Sequence, residues 1–214
     1  MQFTKETMNR LSRQVAKAGV VIALSAAFGS TALAQVKNGE AAPDFTLKSA
    51  AGADVKLSDY KGKTVVLEWF NNDCPYVKKH YDSGHMQKLQ TQETAEGTVW
   101  LTIVSSAPGE QGHLEAAAAQ KLVGERKAKM TAFLLDPKGE VGRRYAAKTT
   151  PHMYIIDSKG VLVYQGAIDS NSSSDPKTIA GATNYVTEAL REVKAGQSVK
   201  TANTKPYGCS VKYK

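Results

Sequence analysis

Two cysteines, Cys74 and Cys209, are the residues of this chain best suited to covalent chemistry. Cys74 follows the run Val65-Val66-Leu67-Glu68-Trp69-Phe70 and the polar turn Asn71-Asn72-Asp73, and it precedes Pro75-Tyr76. The apolar run reads as a strand, and a Cys-Pro pair after a turn reads as the start of a helix. Proline suits the first helical turn, where its missing N–H costs no hydrogen bond. A thiol there meets unpaired backbone N–H groups and the positive end of the helix dipole. Both favour the thiolate, which is the nucleophile. The pattern points to thiol redox chemistry, against the alternative of an inert buried cysteine. No second cysteine lies in the turn, so any partner thiol must come from Cys209 or from outside.

Cys209 has several possible roles. It could attack an oxidised Cys74 to close a disulfide, or it could sit in a structural or intermolecular bridge, or stay free. The resolving role requires the tail to fold back over the turn, with Tyr207, Val211 and Tyr213 as apolar anchors. Glu68 stands in a strand read as buried. It fits either an acid exchanging protons with Cys74 or a strand-end carboxylate paired with a lysine. His80 falls about one and two-thirds helical turns past Cys74, so it does not face the thiol directly. His85, His113 and His152 are scattered. A copper site drawn from Cys74, His80, His85 or His152 lacks the usual ligand spacing, so no metal and no cofactor are expected. Lys78 and Lys79 read as a solvated helix face that raises the local potential.

The elements that must position these groups follow from periodicity and punctuation. Lys5, Arg10, Arg13 and Lys17 precede an apolar run, Ala18 to Phe28, and small residues lead to Ala32-Leu33-Ala34. That is a secretory signal, residues 1–34, with Met8 as an alternative start. The run is short for a bilayer span, so no stable membrane insertion is expected after cleavage near Ala34. The product, residues 35–214, is expected in the periplasm or outside the cell. The leader carries four Lys/Arg and one Glu, so its loss lowers the formal net charge from +8 to +5. The basic residues are scattered and not interleaved with aromatics, which gives nucleic-acid binding little support. An oxidising compartment permits a disulfide, but two cysteines cannot hold a fold, so a hydrophobic core must.

Phe45–Leu47 and Val55–Leu57 read as short strands around a turn, and Ser58–Gly62 as a capped helical turn. Thr64–Phe70 and Thr98–Ser105 read as buried strands, with one helix from Pro75 to about Thr94 between them. A helix over His113–Lys127, a strand at Ala132–Leu135 and a short helix over Glu140–Ala147 follow. Met153–Asp157 and Val161–Gln165 flank Ser158-Lys159-Gly160 as a hairpin. Ser170–Pro176 reads as a mobile loop, and Asn184–Ala195 as a helix. Alternating units argue for a parallel sheet core with an antiparallel edge. Open α/β sheets place their sites at the carboxyl ends of central strands, where Cys74 lies.

Four stretches resemble the redoxin branch of the thioredoxin-fold proteins, the group that includes alkyl hydroperoxide reductase and thiol-specific antioxidant proteins. They are Ala42-Pro43-Asp44-Phe45-Thr46-Leu47, Leu57-Ser58-Asp59-Tyr60-Lys61-Gly62-Lys63, Cys74-Pro75, and Thr149-Thr150-Pro151 followed by Tyr154-Ile155-Ile156-Asp157. The likeness spans roughly residues 40 to 195. The ending Pro206-Tyr207-Gly208-Cys209-Ser210-Val211-Lys212-Tyr213 is similar to a bacterial subfamily of exported redoxins. The resemblance implies a thioredoxin fold: a central mixed sheet flanked by helices, with an N-terminal β-hairpin extension and an irregular C-terminal tail. It also implies a cis Pro151 facing Cys74, with the Thr150 backbone offered to an incoming chain. The domain would occupy residues 35–196 and the tail 197–214.

This chain departs from the family at telling positions. Thioredoxins use Cys-x-x-Cys, and here the second position is Val77, so exchange within the turn is impossible. Peroxiredoxins place a proline and a threonine where this chain has Leu67 and Asn71, and Arg126, Arg143 and Arg144 all compete as the peroxide-orienting arginine. The expectation is an exported oxidoreductase or antioxidant protein with Cys74, Pro75, Glu68, Thr150, Pro151 and Cys209 at its site. Its partners would be a peroxide, or a protein or small-molecule disulfide, and a thiol electron donor. The alternatives are a binding module with a structural Cys74–Cys209 bridge and a copper-handling protein.

Overall fold

A computed structural model describes residues 36–214, so the expected leader lies outside the described residues. The chain first forms a hairpin, β1 (Thr46–Ser49) and β2 (Asp54–Lys56), with Leu47 opposite Val55. A 3-10 turn, Leu57–Tyr60, leads into β3 (Val65–Trp69). Then come α1 (Pro75–Asp82), α2 (His85–Ala95), β4 (Val99–Val104), α3 (Ala116–Glu125), β5 (Ala132–Leu135) and α4 (Glu140–Arg144). The last elements are β6 (Thr149–Thr150), β7 (His152–Ile156), β8 (Leu162–Gly166), α5 (Tyr185–Lys194) and β9 (Cys209–Ser210). The main sheet runs β2-β1-β5-β4-β3-β7-β8. Strands β3, β4 and β5 are parallel, whereas β1 and β7 lie antiparallel to their neighbours. The expected mixed sheet with an antiparallel edge is what forms.

Strand β3 shows why the sheet is two-faced. Successive side chains point to opposite faces. Val65, Leu67 and Trp69 enter a core with Phe45, Leu101, Ile103, Leu134, Tyr145 and Tyr154. Val66 and Phe70 enter the other, with Trp100, Phe133, Met153 and residues of α1, α2 and α5. Every residue of β3 is buried. Truncating Leu67 to alanine would therefore cost about 2–5 kcal/mol.

Two features differ from the sequence reading. The helix expected from Pro75 to Thr94 is two helices, because Gly84 turns left-handed at φ 76° and only glycine takes that turn without strain. The tail is not irregular throughout. Its Cys209–Ser210 strand pairs antiparallel with Thr149–Thr150 in a second, two-stranded sheet. Local propensity does not reveal such a pairing, since the two strands are far apart in sequence and each is two residues long.

Candidate active site

Strand β3 ends at Trp69, and the turn Asn71-Asn72-Asp73 delivers Cys74 as the N-cap of α1, with Pro75 in its first turn. The turn is held from inside. The Asn71 carboxamide oxygen accepts from the Asp73 N–H at 2.9 Å, its Nδ2 donates to the Gln111 carbonyl at 3.3 Å, and the Cys74 N–H donates to the Asn71 carbonyl at 3.1 Å. Cys74 is fully buried. Facing it is the Thr150–Pro151 peptide, which is cis. In its thiol form Cys74 donates to the Thr150 carbonyl at 3.0 Å.

Cys209 reaches this point because the tail is fastened along its length. The Gln165 N–H donates to the Ala202 carbonyl at 3.0 Å, and Thr204 donates back to Gln165 at 3.2 Å. Beyond that, Thr150 pairs with Cys209 and Thr149 with Ser210. The Val211 N–H donates to the Lys148 carbonyl at 3.0 Å, and the Ala107 N–H to the Lys212 carbonyl at 2.9 Å. Tyr213 donates its hydroxyl proton to the Ala147 carbonyl at 2.9 Å, and Arg143 stacks over its ring at 4.8 Å. Gly208 makes the approach possible. Its φ is 132°, and a Cβ there would collide with the Thr150 carbonyl.

Both cysteines are free, and both meet Thr150, Cys74 at its carbonyl and Cys209 as its strand partner. Burial is the largest influence on Cys74 and resists ionisation. Hydrogen bonds from the Cys209 thiol, the Thr150 side chain and the backbone N–H groups of Cys209 and Val77 outweigh it and hold the thiol below its ordinary pKa. The opposite holds at Cys209. Burial, the hydrogen bond to Cys74 and the charge on Cys74 push its thiol up to about 11. The pair is therefore polarised, with Cys74 the more readily ionised thiol and Cys209 the one that holds its proton more firmly.

Glu68 is fully buried on the same sheet face as Phe70, and among the described residues no lysine pairs with it. Its carboxyl oxygens accept from Tyr81 Oη at 2.9 Å, Trp100 Nε1 at 2.8 Å, Thr102 Oγ1 at 3.0 Å and Gln90 Nε2 at 3.3 Å. These partners lie on α1, α2 and β4, and Cys74 is not one of them. Burial dominates and raises its pKa. The histidines do not gather round Cys74. His80 Nδ1 meets His85 Nδ1 at 3.1 Å, and His152 Nδ1 accepts from the Lys148 N–H at 3.3 Å. Among the described residues, no three His, Cys, Asp or Glu side chains form a metal-ligand group.

Lys79 corrects the expectation of a solvated helix face. It is buried and bonded to Asp169 Oδ2 at 3.2 Å and to the Asn171 carbonyl at 2.8 Å. The loop after β8 folds over it, which sequence periodicity does not show. Asp169 also accepts from the Tyr207 hydroxyl. The signal available in the sequence was the Tyr-Gly-Cys spacing, since a glycine beside a cysteine marks a close backbone approach. Of the three arginines, Arg126 stands by the turn, donating to Asn72 Oδ1 at 2.7 Å and Asp82 Oδ1 at 2.6 Å.

A family model described as AhpC/TSA matches residues 38–165. The chain belongs to the AhpC/TSA family. Among relatives of this AhpC/TSA protein, the thioredoxin-like protein YneN of Bacillus subtilis is 29% identical over 127 residues, covering 59% of this chain and 69% of that protein. The thiol-disulfide oxidoreductase ResA of Geobacillus thermodenitrificans is 26% identical over 160 residues, covering 72% and 86%. A solved structure of an uncharacterized conserved protein from Geobacillus kaustophilus superposes with a TM-score of 0.73 at 27% identity, covering 85% of this chain and 94% of that one. The AhpC/TSA chain thus has a thioredoxin fold of the thiol-disulfide oxidoreductase kind. No helix among the described residues is long and apolar enough to cross a membrane.

Proposed function

We propose that this protein is an exported thiol–disulfide oxidoreductase in which Cys74 is the nucleophile and Cys209 the second thiol. The observation that carries the reading is that both free cysteines converge on Thr150 beside the cis peptide, Cys74 through its 3.0 Å bond to the Thr150 carbonyl and Cys209 as the strand partner of Thr150. The Cys74 thiolate attacks one sulfur of a substrate disulfide. A Cys74–substrate disulfide forms, and the other substrate sulfur leaves as a thiolate. Cys209 then attacks Cys74. The Cys74–Cys209 bond forms, the substrate sulfur leaves, and the Cys209 proton goes to that leaving thiol. The substrate gains two electrons and the protein loses two, which an external dithiol donor restores.

The polarised pair suits this order. Burial is the largest influence raising the Cys209 pKa, and the charge on Cys74 adds to it. Once Cys74 is held in a mixed disulfide that charge is gone, and Cys209 ionises more readily when its attack is needed. Asn71 and Arg126 are engaged within the turn and its flanking helix, which favours a disulfide over a peroxide substrate. Pro75 starts α1, Thr150 and Pro151 form the docking edge, and Glu68 serves as a positioning residue that ties β3, β4, α1 and α2 together. Export follows from the leader pattern of residues 1–34.

Non-reducing peptide mapping tests the reading. A Cys74–Cys209 link that opens with a mild dithiol and reforms with a stoichiometric disulfide supports it. A link that resists mild reductant would turn it into a structural bridge. Reformation with stoichiometric peroxide but not with disulfide would make the protein a peroxidase.

A further inference from the structure

The edge of Thr149–Thr150 beside Cys74 is occupied by this chain's own tail, paired as a strand. Two residues before Cys209, Tyr207 enters a built site. Its hydroxyl donates to Asp169, its ring meets Tyr76 edge-on at 5.8 Å, and Lys79 Nζ lies 5.5 Å from the ring centre. Asp169 and Lys79 are both buried, and their 3.2 Å ion pair fixes the acceptor. Asp169 is also held by the Asn171 N–H at 3.0 Å, so the site's floor is fastened from the loop side. A cleft of about 480 Å³, bordered by Thr149, Asp169, Ser170, Tyr185 and Tyr207, opens alongside the ladder.

The geometry points to the Tyr76–Lys79–Asp169 site as a specificity subsite for protein disulfides. The tail fills it as a tethered stand-in for an extended substrate strand that carries a tyrosine two residues before its cysteine. The inference rests on the oxidoreductase reading above and names its substrate class. Three features support the match. Strand pairing supplies affinity without regard to sequence, so selectivity must come from side-chain pockets beside the ladder. A buried carboxylate that accepts from a phenol rejects a segment lacking that donor, because the acceptor is then left short of a partner. The Tyr207–Cys209 spacing sets the distance between the pocket and the reacting sulfur, so a substrate using both must reproduce it.

The probe is a synthetic peptide of residues 205–213 whose cysteine is activated as the thionitrobenzoate mixed disulfide. The Cys209→Ser protein attacks it through Cys74. The Cys74–peptide disulfide forms and coloured thionitrobenzoate leaves. The unmodified peptide is expected to react about ten-fold faster than the same peptide with Tyr207→Ala, the factor expected of one hydrogen bond to a charged acceptor. The peptide with Tyr207→Phe should fall near the alanine peptide. In the protein, adding Tyr207→Ala to Cys209→Ser should speed capture of the tyrosine peptide, because the tethered competitor is weakened. Equal rates for all three peptides, with Cys74 still reacting with the small disulfide dithiobis(nitrobenzoate), would remove the subsite and leave the oxidoreductase reading intact. A Cys74 silent to both peptides and the small disulfide would overturn both.

Discussion

Thr150 and Cys209 are strand partners, and the Thr150 carbonyl accepts the hydrogen bond of Cys74. One residue thus registers both sulfurs. The position of the second thiol is set by backbone pairing and not by a Cys-x-x-Cys turn. In the proposed cycle, closure of the Cys74–Cys209 bond therefore depends on how firmly the tail is docked.

Gly208→Ala tests that dependence. At φ 132° a side chain is strained, and its Cβ would meet the Thr150 carbonyl. Such strain costs of order 1–3 kcal/mol. Undocking the tail by that amount should slow Cys74–Cys209 disulfide formation roughly ten-fold or more. The melting temperature of the reduced domain should fall only slightly, since the main sheet is untouched. An unchanged closure rate, read by quenched-flow alkylation, would show that docking does not govern closure.

The two thiols should titrate apart. Ultraviolet absorbance of the reduced protein is expected to show a first thiolate below its ordinary value and a second near 11. Cys209→Ala removes a donor to Cys74, so the remaining step should move upward. The lowered Cys74 pKa contributes stability present above its unfolded pKa and lost as pH falls through the folded one. The raised Cys209 pKa contributes stability present below about 8.5 and lost as pH rises toward 11. A single step at the value of an unstructured peptide thiol would contradict the polarised pair.

Glu68 carries a pH signature of its own. Burial raises its pKa in the folded state above 4.5. The resulting stability is present below the unfolded pKa and is lost as pH rises through the folded one. Glu68→Gln removes that dependence, so its melting temperature should gain on the wild type as pH increases from about 4.5. Glu68→Ala should instead lose about 3 kcal/mol or more, because Trp100, Tyr81, Thr102 and Gln90 all lose an acceptor. Parallel melting curves for wild type and Glu68→Gln at all pH values would exclude a shifted Glu68.

The buried Lys79–Asp169 pair should behave as a unit. Asp169→Ala leaves an ammonium buried without its counter-ion, and such single removals cost about 3–5 kcal/mol. Lys79→Met with Asp169→Ala should recover most of that loss, since both charges are gone. Denaturant titration of the two single variants and the double variant gives the coupling. Strict additivity would show that the pair does not stabilise the fold.

The sequence by itself determined the sheet and the place of Cys74. Val65–Trp69 and Val99–Val104 are strands because their apolar runs bury both faces, and Cys74-Pro75 starts a helix because proline suits its first turn. Those are local rules, with periods and caps a few residues long. Only the tertiary structure decided which groups meet Cys74. Cys209 lies 135 positions after Cys74 in the sequence, and its register on Thr150 comes from backbone pairing that carries no sequence pattern. The same reason hid Lys79. A lysine on a short amphipathic helix reads as solvated until a distant loop brings Asp169 over it. Glu68 lay between these cases. The strand pattern placed it inside, but its four donors come from three other elements, and only their packing made it a network instead of a lysine pair.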